Sequence, residues 1–538
     1  MKKISLFSIL LLVAAIGYAQ YPLEIDAENF PDSIFRSYVL EHFDADSDGS
    51  LGQAECEAVK TIEMTKIVYL EDSSFALSSC GVRSLQGVEH FSGLDTLEIW
   101  SDVLYGLDLS QNKGLRCLSL MYAPLENLDL SQNQELRNLN ISSMGLQSLD
   151  LNSCPDLESL SIWLVFGIPE LDLSQCPNLS YLSLEQTGLT DIELGHCPDL
   201  KQLSVTYTPG MAELDLSKNP NIETLTCWNN SELTELNLGQ CPNLDYVNCS
   251  YTKIAELDLS QCPDLTSLDC SHTELVELNL GQCPNLDYMN CSYTKIAELD
   301  LSQCPDLTSL DCSHTELVEL NLGQCQALTS LYCSNTNLAS LDLSQCPDLL
   351  YLDCSYTKIA NLDLGQCPDL GYLDCSFAQL SHLDLSGNPL LQSLSFSGNV
   401  HPVKAEIGGT YDLSQIPGFD LSRVTWAGDV EIEGNLLRFN REKLSYFYDV
   451  QAAVEVGKVR FQLQAVPGLS SESGERVPLL RVMCHAGRLF VHGAEGTVEV
   501  FGMDGRMVYR GAGREIVLPG PGLYIVRNQG RSQKVRNI

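Results

Sequence analysis

Residues 265–285 read Leu265-Thr-Ser-Leu268-Asp-Cys270-Ser-His-Thr273-Glu-Leu275-Val-Glu-Leu278-Asn-Leu280-Gly-Gln-Cys283-Pro-Asn. The same order of apolar and polar residues recurs along most of the chain in steps of 21 residues, with three steps of 22. Each unit opens with leucine or isoleucine, at Leu94, Leu115, Leu136, Leu157, Leu179, Leu200, Ile222, Leu244, Leu265, Leu286, Leu307, Leu328, Leu349, Leu370 and Leu391. A fixed period of about 20 to 50 residues is typical of proteins built by stacking one structural unit.

The repeated unit has the pattern L-x-x-L-x-L-x-x-N-x-L of a leucine-rich repeat, with cysteine at the third apolar place and threonine at the asparagine place. One such unit cannot bury its apolar side alone, so the units stack. We therefore predict a right-handed solenoid of parallel β-strands with little helix over residues 93–400. Segment 235–276 is repeated almost letter for letter as 277–318, where Val247 becomes Met289. This duplication favours a function that needs a long surface or several equivalent binding sites over one that needs a unique catalytic pocket.

The charge of the chain is concentrated in the repeats. The 538 residues carry 31 Lys and Arg against 71 Asp and Glu, a formal net charge of -40. Residues 401–538 are near balance, with 17 basic and 15 acidic side chains, whereas residues 20–400 hold 12 and 56. Such an acidic surface repels phosphate backbones, which argues against a nucleic-acid partner. Because 44% of the residues are hydrophobic, the chain can bury a large core.

The 22 cysteines recur mainly in two columns of the repeat. The first column is Cys227, Cys249, Cys270, Cys291, Cys312, Cys333, Cys354 and Cys375, and earlier units have aliphatic residues there. The second column is Cys154, Cys176, Cys197, Cys241, Cys262, Cys283, Cys304, Cys325, Cys346 and Cys367, and other units have asparagine there. A zinc or redox site is one interpretation, but the chain has no C-x-x-C pair and no mixed Cys/His column at ligand spacing. In-register side chains point in parallel, which disfavours stacked disulfides, so buried core thiols are the preferred interpretation.

The variable positions of each predicted strand point to the concave face, because side chains alternate along a strand. These positions form columns of aromatic, acidic and hydroxyl residues, which are typical of recognition surfaces. The ligand-binding candidates are Tyr246, Tyr251, Asp269, His272, Tyr288, Tyr293, Asp311, His314, Tyr332, Tyr351, Asp353, Tyr356, Tyr372, Asp374 and Phe377. The alternative is that the stacked rings only stabilise neighbouring repeats. His272 and His314 are copies of one position, so neither is interpreted as catalytic.

A second acidic line follows the L-x-L of the return segment in eleven units. It comprises Asp108, Asp129, Asp150, Asp172, Glu193, Asp215, Asp258, Asp300, Asp342, Asp363 and Asp384. We expect these carboxylates to be solvated or bonded to backbone amides. Trapping of cations is the alternative.

The N-terminal region contains an export signal and a candidate calcium loop. Lys2 and Lys3 precede an apolar run that ends in small residues, which predicts a signal peptide over 1–19 with cleavage after Ala19. A helical cap is predicted over 20–92, because residues 30–43 have helical apolar spacing. The segment that follows has EF-hand spacing, with Asp44, Asp46, Asp48, Ser50, Gly52 and Glu55 as the candidate ligands of a structural calcium ion. The alternative is an acidic loop without metal.

The repeat stops after Val400, and three further segments are predicted. Residues 401–466 alternate in short β-like runs, so we expect a small β domain that caps the open end of the core. Residues 467–478 are rich in Ser, Glu, Pro and Gly and are predicted to be a linker. Residues 479–538 contain several short strands separated by Gly turns, and the C-terminal segments are expected to be β-sandwich-like.

The two ends of the chain carry family resemblances. Met503-Asp-Gly-Arg506, Gly522-Leu-Tyr-Ile-Val-Arg527 and the closing Lys534-Val535 resemble the C-terminal sorting domain of type IX secretion cargo in Bacteroidetes. That resemblance implies export through the outer membrane, removal of the tail and attachment to a surface glycolipid. The helix, the acidic loop and the cysteine-bearing repeat resemble internalin-J-like surface proteins, with Thr252 and Thr273 where that family has asparagine. This second resemblance implies a role in adhesion or biofilm.

Three classes of function remain after these observations. The first is a non-enzymatic cell-surface adhesin that binds protein or glycan along the concave face. The second is a structural coat or spacer without a specific ligand. The third, a secreted enzyme, is disfavoured because no nucleophile, metal-protease or phosphate-loop motif is present and most polar residues of the repeats are duplicated. The aromatic columns favour the adhesin.

Overall fold

The computed structural model describes residues 21–69, 75–142, 145–451 and 458–466, and the strands between 481 and 537. The predicted signal peptide with its cleavage site at Ala19, and the predicted linker 467–478, lie outside the described residues. So does the Met503–Arg506 part of the C-terminal motif.

The N-terminal region begins with a small helical cap. Its elements are β1 (Leu23–Glu24), α1 (Ser33–His42), β2 (Ser50–Leu51), α2 (Gln53–Ala58), β3 (Thr61–Met64), β4 (Lys66–Tyr69) and β5 (Phe75–Ser78). Asp32 caps α1 by accepting the backbone amides of Ile34 and Phe35 at 2.8 and 3.0 Å. The other carboxylate oxygen of Asp32 accepts the amide of Arg83 at 2.8 Å, which ties the helix to the chain that enters the first repeat.

The repeats form one long parallel sheet. Their strands are β6 (Thr96–Trp100), β7 (Cys117–Met121), β8 (Asn138–Ser142), β9 (Ser159–Trp163), β10 (Tyr181–Glu185), β11 (Gln202–Thr206), β12 (Glu213–Asp215), β13 (Thr224–Thr226), β14 (Glu235–Asn237), β15 (Tyr246–Asn248), β16 (Ser267–Asp269), β17 (Tyr288–Asn290), β18 (Glu298–Asp300), β19 (Ser309–Asp311), β20 (Glu319–Asn321), β21 (Ser330–Tyr332), β22 (Tyr351–Asp353), β23 (Tyr372–Asp374) and β24 (Ser393–Ser395). Fifteen of these strands, one per unit, join β3 in a 16-stranded sheet. On the return side, β12 pairs with β14 and β18 pairs with β20. The predicted parallel solenoid of leucine-rich repeats with little helix is confirmed.

Strand β3 extends the sheet beyond the first predicted repeat. It pairs in parallel with β6, with Ile62 opposite Leu97 and Met64 opposite Ile99. The segment Val59-Lys-Thr-Ile62-Glu-Met64 has the spacing of the repeat, with other aliphatic residues in place of leucine. The solenoid sheet therefore begins inside the region that was expected to be only a helical cap.

Both cysteine columns lie in the core. Every member of the two columns is a free thiol with no solvent exposure. Burial raises the pKa of these thiols, to about 12 for Cys154 and about 11 for Cys176. The interpretation as core thiols is confirmed for their burial. They fill the apolar interior as a small aliphatic residue would.

Asparagine and cysteine play related parts at the inward-facing turn. Asn133 donates its side-chain amide to the carbonyls of Leu109 and Asn112 in the preceding unit, at 3.2 and 2.9 Å. Where cysteine replaces it, the thiol points at an equivalent carbonyl, as between Cys304 Sγ and Cys283 O at 3.7 Å. The position thus links each unit to the one before it.

Threonine at the ninth repeat position forms a local bond instead. The hydroxyls of Thr252, Thr273 and Thr294 donate to the carbonyl of the cysteine three residues earlier, each at 2.8 Å. Asn230, the same position in an earlier unit, also reaches Val205 of the preceding repeat at 2.7 Å. These three threonines therefore satisfy their own turns, whereas Thr187 and Thr208 bond to each other across neighbouring units at 3.1 Å.

The chain after the repeats is β-rich. Its strands are β25 (Val400–Val403), β26 (Thr410–Asp412), β27 (Val424–Trp426), β28 (Glu431–Glu433), β29 (Leu436–Arg438), β30 (Lys443–Asp449), β31 (Lys458–Ala465), β32 (Arg481–His485), β33 (Arg488–His492), β34 (Val498–Gly502), β35 (Met507–Gly511), β36 (Glu515–Val517), β37 (Gly522–Asn528) and β38 (Arg531–Asn537). Strands β32, β33 and β36 form one antiparallel sheet, and β35, β34, β37 and β38 form another. Short 3-10 turns lie at Val88–His90, Leu413–Gln415 and Leu421–Arg423.

The chain packs as two compact units. The first comprises residues up to 402 together with 412–437 and 443–464, and the second comprises 403–411, 438–442 and 465–538. The segment predicted as one β domain, 401–466, is therefore divided between them. Within the first unit, the Leu385 amide donates to Val450 O at 2.9 Å, so β30 and its following residue lie against the last repeats. Among the described residues, no helix is both long and apolar enough to cross a membrane.

Two partly buried histidines lie where the last repeats meet β30. The His382 ring is 5.8 Å from the Tyr448 ring, and Arg423 lies 4.9 Å above that same tyrosine. Asp384 pairs with Arg423 at 3.2 Å. The His401 Nδ1 atom is 2.8 Å from Gln379 O. Burial lowers the pKa of both histidines, and His401 and Arg423 lower that of His382 further, against the opposing effect of Asp384.

These histidines should make the first unit sensitive to acid. Their pKa values are lower in the folded than in the unfolded chain, so below a pH of about 6.5 the unfolded chain binds more protons and stability falls as pH falls. We expect the double variant His382→Gln/His401→Gln to lose roughly 1 kcal/mol less of its free energy of unfolding between about pH 7 and about pH 5.5 than the parent. Urea titrations at several pH values would measure this difference. The exposed His196→Gln should match the parent, and equal pH slopes in all three proteins would refute the assignment.

The cysteine columns should be inert in the folded chain. Because the thiols are buried and their pKa values are raised, few thiolates are available at about pH 8 to react with a disulfide reagent. Among the cysteines whose side chains the structure describes, we expect Cys80 and Cys117, which are partly exposed, to react first, and the columns only after denaturation. Titration of unreduced protein with and without denaturant measures this. Near-zero free thiol in the denatured sample would mean that the columns are oxidised and the core-thiol interpretation is wrong.

Candidate binding surface

The outward side of the sheet carries the predicted ligand-binding residues. The name sheet face is used here for the third, fifth and eighth repeat positions of the units that contain β15, β16, β17, β19, β21, β22 and β23. In each strand the central residue is buried and its two neighbours point outward, as in β16, where Leu268 lies between Ser267 and Asp269. Parallel register then aligns equivalent positions from one strand to the next.

The third position is a column of tyrosine and serine. It reads Tyr246, Ser267, Tyr288, Ser309, Ser330, Tyr351 and Tyr372. Tyr288 is 39% exposed and Tyr351 is 48% exposed, values high for so large a side chain. The Tyr351 and Tyr372 rings are 6.0 Å apart and tilted by 31°. These rings present apolar faces and hydroxyl groups to solvent, and such side chains give large contact area at low entropic cost.

The eighth position is a ridge of stacked rings at the end of the strands. Successive ring centroids from Tyr251 through His272 and Tyr293 to His314 are 4.1, 4.2 and 4.1 Å apart, with interplanar angles of 11° to 12°. Tyr356 and Phe377 stack at 4.6 Å. Face-to-face contact along the ridge supports the alternative interpretation, in which the rings stabilise neighbouring repeats.

The backbone at the ridge is left-handed, which the sequence did not reveal. The φ values are 56° at Tyr251, 54° at His272 and 58° at Tyr293, where non-glycine residues are uncommon. The turn keeps the inter-repeat ladder intact, because the Tyr251 amide donates to Ser271 O at 3.0 Å. Each such residue costs about 1–2 kcal/mol of backbone strain. Ring stacking and the ladder bond offset that cost.

The fifth position supplies the carboxylates of the sheet face. Asp269 Oδ1 accepts the amide and the hydroxyl of Ser271 at 3.0 and 2.7 Å, and Asp311 bonds Ser313 in the same way. Asp353 and Asp374 accept the amides of Ser355 and Ser376 at 3.0 and 2.8 Å. Tyr332 replaces the acid in β21 and is 37% exposed. The acids are thus held in fixed positions by the turn that follows each strand.

The second acidic line has a structural role in each of the eleven units that contain it. Each of its eleven members accepts the backbone amide of the residue two positions later, as Asp258 does from Ser260 and Asp300 from Ser302, both at 2.9 Å. The other members make the same bond. Amide and hydroxyl bonds from Ser260 lower the pKa of Asp258. The prediction of backbone bonding is confirmed; cation trapping stays a prediction.

The acidic loop of the cap brings three predicted metal ligands together. One carboxylate oxygen from each of Asp44, Asp46 and Asp48 lies within 4.8 Å of the others. Asp44 is only 8% exposed. Glu55 closes the loop, since its two oxygens accept the amides of Ala45 and Gly52 at 2.8 and 2.7 Å.

The loop backbone also has the shape that EF-hand spacing requires. Gly49 has a φ of 86°, which suits the sharp turn at the sixth loop position. Ser50, whose carbonyl is a candidate ligand, lies in β2 and pairs with Glu24 of β1. In paired EF-hands a second loop would occupy that place. The donor set of carboxylates and one carbonyl fits calcium.

An aromatic cluster in the earlier repeats was not predicted. The Trp100 and Tyr122 rings stack at 5.3 Å, and Tyr122 meets Trp163 edge-on at 5.4 Å. Tyr207 and Trp228 contact at 4.6 Å. These residues occupy the seventh and eighth repeat positions. Reading those two columns through all fifteen units, rather than only through the cysteine-bearing ones, would have found them.

Comparisons with known proteins support the fold. No family model matches the chain, and no curated protein sequence matches it. Among solved structures, the chain is similar to the functional domain of InlJ from Listeria monocytogenes, which includes a cysteine ladder. The two are 21% identical with a TM-score of 0.52, over 84% of this chain and 99% of that one.

Two further solved structures are similar at lower scores. A leucine-rich-repeat protein of Leptospira interrogans is 20% identical with a TM-score of 0.48, over 61% of this chain and 93% of its own. An internalin, InlF, from Listeria monocytogenes is 18% identical with a TM-score of 0.39, over 71% and 94%. The likeness to the InlJ domain, together with the sheet and its repeat register, shows that this chain has an internalin-like leucine-rich-repeat fold.

Proposed function

We propose that this chain is a non-enzymatic cell-surface adhesin that binds an extracellular protein or glycan through the sheet face. The observation that carries the proposal is the column of tyrosines at the third repeat position, in which Tyr288 and Tyr351 are 39% and 48% exposed although the central residue of each strand is buried. Exposed aromatic residues on a rigid support are typical of binding surfaces. Attachment to a host or assembly of a biofilm is the setting that the sequence resemblances support.

The repeated construction of the surface argues against catalysis. A catalytic site needs different groups converging on one point, whereas the sheet face repeats the same groups along a line. His272 and His314 stack against tyrosines of the ridge rather than facing a nucleophile. Recognition of an extended partner uses such a line directly.

The ends of the chain supply the proposed location. The apolar N-terminal run and the C-terminal motif support export and display on the exterior of a Gram-negative outer membrane, with the type IX machinery as a partner and attachment to a surface glycolipid. Gly522–Asn528, which contains the second half of the motif, is the strand β37.

A structural coat or spacer is the competing function. The specific observation in its favour is the ridge, where four rings pack against one another in a continuous stack, namely those of Tyr251, His272, Tyr293 and His314. The third-position tyrosines distinguish the two functions, because the one described ring contact among them, between Tyr351 and Tyr372, is tilted rather than stacked.

Ligand arrays test the adhesin proposal. The full chain would be applied to arrays of extracellular proteins and glycans, alongside the variant Tyr246→Ser/Tyr288→Ser/Tyr351→Ser. Serine is native at this position in Ser267, Ser309 and Ser330, so the variant should fold. We expect a hit that weakens by at least about tenfold in the variant, since each anchoring aromatic contributes roughly 1–2 kcal/mol.

Two controls make the array experiment decisive. Tyr105→Ser removes a tyrosine that is 68% exposed outside the sheet face and should leave binding unchanged. Tyr251→His/Tyr293→His keeps a stacking ring in the ridge and should also bind. Self-association in solution with no hit on either array would instead support the coat or spacer.

We also propose that the acidic loop binds a structural calcium ion through Asp44, Asp46, Asp48, the Ser50 carbonyl and Glu55, with Gly52 acting through a water. Calcium that binds only the folded form stabilises it by about 2.7 kcal/mol when its concentration is a hundredfold above the dissociation constant. Thermal melts of the full chain with calcium and with chelator would measure the shift of the cap transition. Glu55→Gln should abolish the shift, and Asp26→Asn, which changes a turn carboxylate elsewhere in the cap, should retain it. Superimposable melts with and without calcium would refute the proposal.

A further inference from the structure

Three carboxylates of the sheet face form a row that is evenly spaced in the strand register. The pairing register runs from Asp269 through Asn290 to Asp311, and from there through Tyr332 to Asp353. From Asp269 to Asp353 the row therefore has one acid on every second strand, and Asp374, on the strand next to Asp353, adds one further acid at its end. Neighbouring strands lie about 4.8 Å apart, so the carboxylates recur roughly every 9.6 Å across the sheet.

The row has no cationic partner on its own face. The third, fifth and eighth positions of the sheet face contain no lysine or arginine. No described ion pair includes Asp269, Asp311 or Asp353. In each carboxylate the described hydrogen bonds engage only Oδ1, which accepts from the serine two residues later. That bond fixes the orientation of the carboxylate, and Oδ2 can accept a hydrogen bond from a ligand.

The acids of the row repel one another. Burial raises the pKa of Asp311, and the charges of Asp353 and Asp269 raise it further, against the lowering effect of the bonds from Ser313. Asp311 is therefore electrostatically coupled to both other carboxylates, although one strand lies between it and each of them. A cation bound between them would relieve this repulsion.

Tyrosine rings flank the row at the matching intervals. The charges of Asp269 and Asp311 both raise the pKa of Tyr288, after the larger effect of burial, so this side chain lies within the field of both acids. Tyr332 occupies the row itself between Asp311 and Asp353. A cation that reaches a carboxylate here also meets the face or edge of a ring, and cation–π contact adds to the ion pair.

We propose that this row, given that the sheet face is the binding surface proposed above, binds an extended basic polypeptide with lysine or arginine at every third residue. An extended chain rises about 3.1–3.4 Å per residue, so every third side chain recurs roughly every 9–10 Å, which matches the carboxylate spacing. The partner lies across the strands, with its cations on the acids and its intervening residues over Tyr288 and Tyr332.

The charge pattern favours this partner over a neutral glycan. Sugar hydroxyls could donate to the carboxylates, but a neutral glycan brings no positive charge to offset their repulsion and desolvation. A basic polypeptide uses both the tyrosines and the carboxylates. The strongly negative charge of residues 20–400 also attracts it from a distance.

Designed peptides test the spacing. Fluorescent peptides of equal length and composition would carry arginine at every third position or clustered at one end, and their binding to the full chain would be measured by anisotropy at low and at physiological salt. We expect the every-third peptide to bind at least about fivefold more tightly than the clustered one, and both to weaken as salt rises.

Two charge-matched variants locate the site. Asp269→Asn/Asp311→Asn/Asp353→Asn should weaken the every-third peptide by about tenfold, and the fold tolerates asparagine there because Asn248 and Asn290 make the same bond to the following serine at 3.1 and 3.0 Å. Asp258→Asn/Asp300→Asn/Asp342→Asn removes the same charge at the same interval from the return side. Asparagine is native there in Asn237, Asn279 and Asn321. This control should bind as the parent does.

The outcomes separate this inference from the function on which it rests. Equal binding of both peptides, or equal loss in both asparagine variants, would overturn the row as a specific site. An array hit on a glycan that depends on Tyr288 but not on Asp311 would also overturn it, while leaving the adhesin proposal in place. If no binding on the arrays or to the peptides depends on the sheet-face tyrosines, both the row and the adhesin proposal are refuted.

Discussion

The whole repeat region depends on one packing constraint: the inward row of each unit is covered only by the units beside it. Leu265, Leu268 and Cys270 have no solvent exposure, although a single 21-residue unit has no second layer with which to bury them. Stacking in parallel register supplies that layer, and a buried leucine contributes about 1.5–3 kcal/mol relative to an exposed one. The fixed period follows, because any unit out of register would turn its apolar row toward solvent.

Fixed packing inside leaves the outside free to carry function. Each turn satisfies its own backbone, through Asp258-type carboxylates on the return side and Asp269-type carboxylates at the strand ends. The fold does not require a particular side chain at the third position, as the exchange of tyrosine and serine along that column shows. Residues that are exposed, large and not required by packing are the ones that a binding partner can select.

The repeat pattern predicted the sheet, the buried thiols and the amide-bonded acidic line, because each follows from periodicity alone. It missed β3, since Val59, Ile62 and Met64 carry the spacing without leucine. It also missed the left-handed backbone at Tyr251 and its equivalents, because that conformation is imposed by the ladder bond to the next unit rather than by local preference. For the binding surface, the repeat pattern predicted the columns of side chains. The strand register was needed to show which acids are aligned, and the side-chain geometry was needed to show which rings stack.

The replacement of asparagine by cysteine at the inward turn bears on how such a protein changes its length. In Asn112, Asn133, Asn219 and Asn388 the side-chain oxygen is buried without a hydrogen-bond partner, so every asparagine unit carries an unmet polar atom. A cysteine unit has no such atom and is an interchangeable module. The near-identical copies 235–276 and 277–318 indicate that such units have been duplicated in pairs. The number of repeats then sets the length of the binding surface, and each added pair of repeats extends the row by one carboxylate.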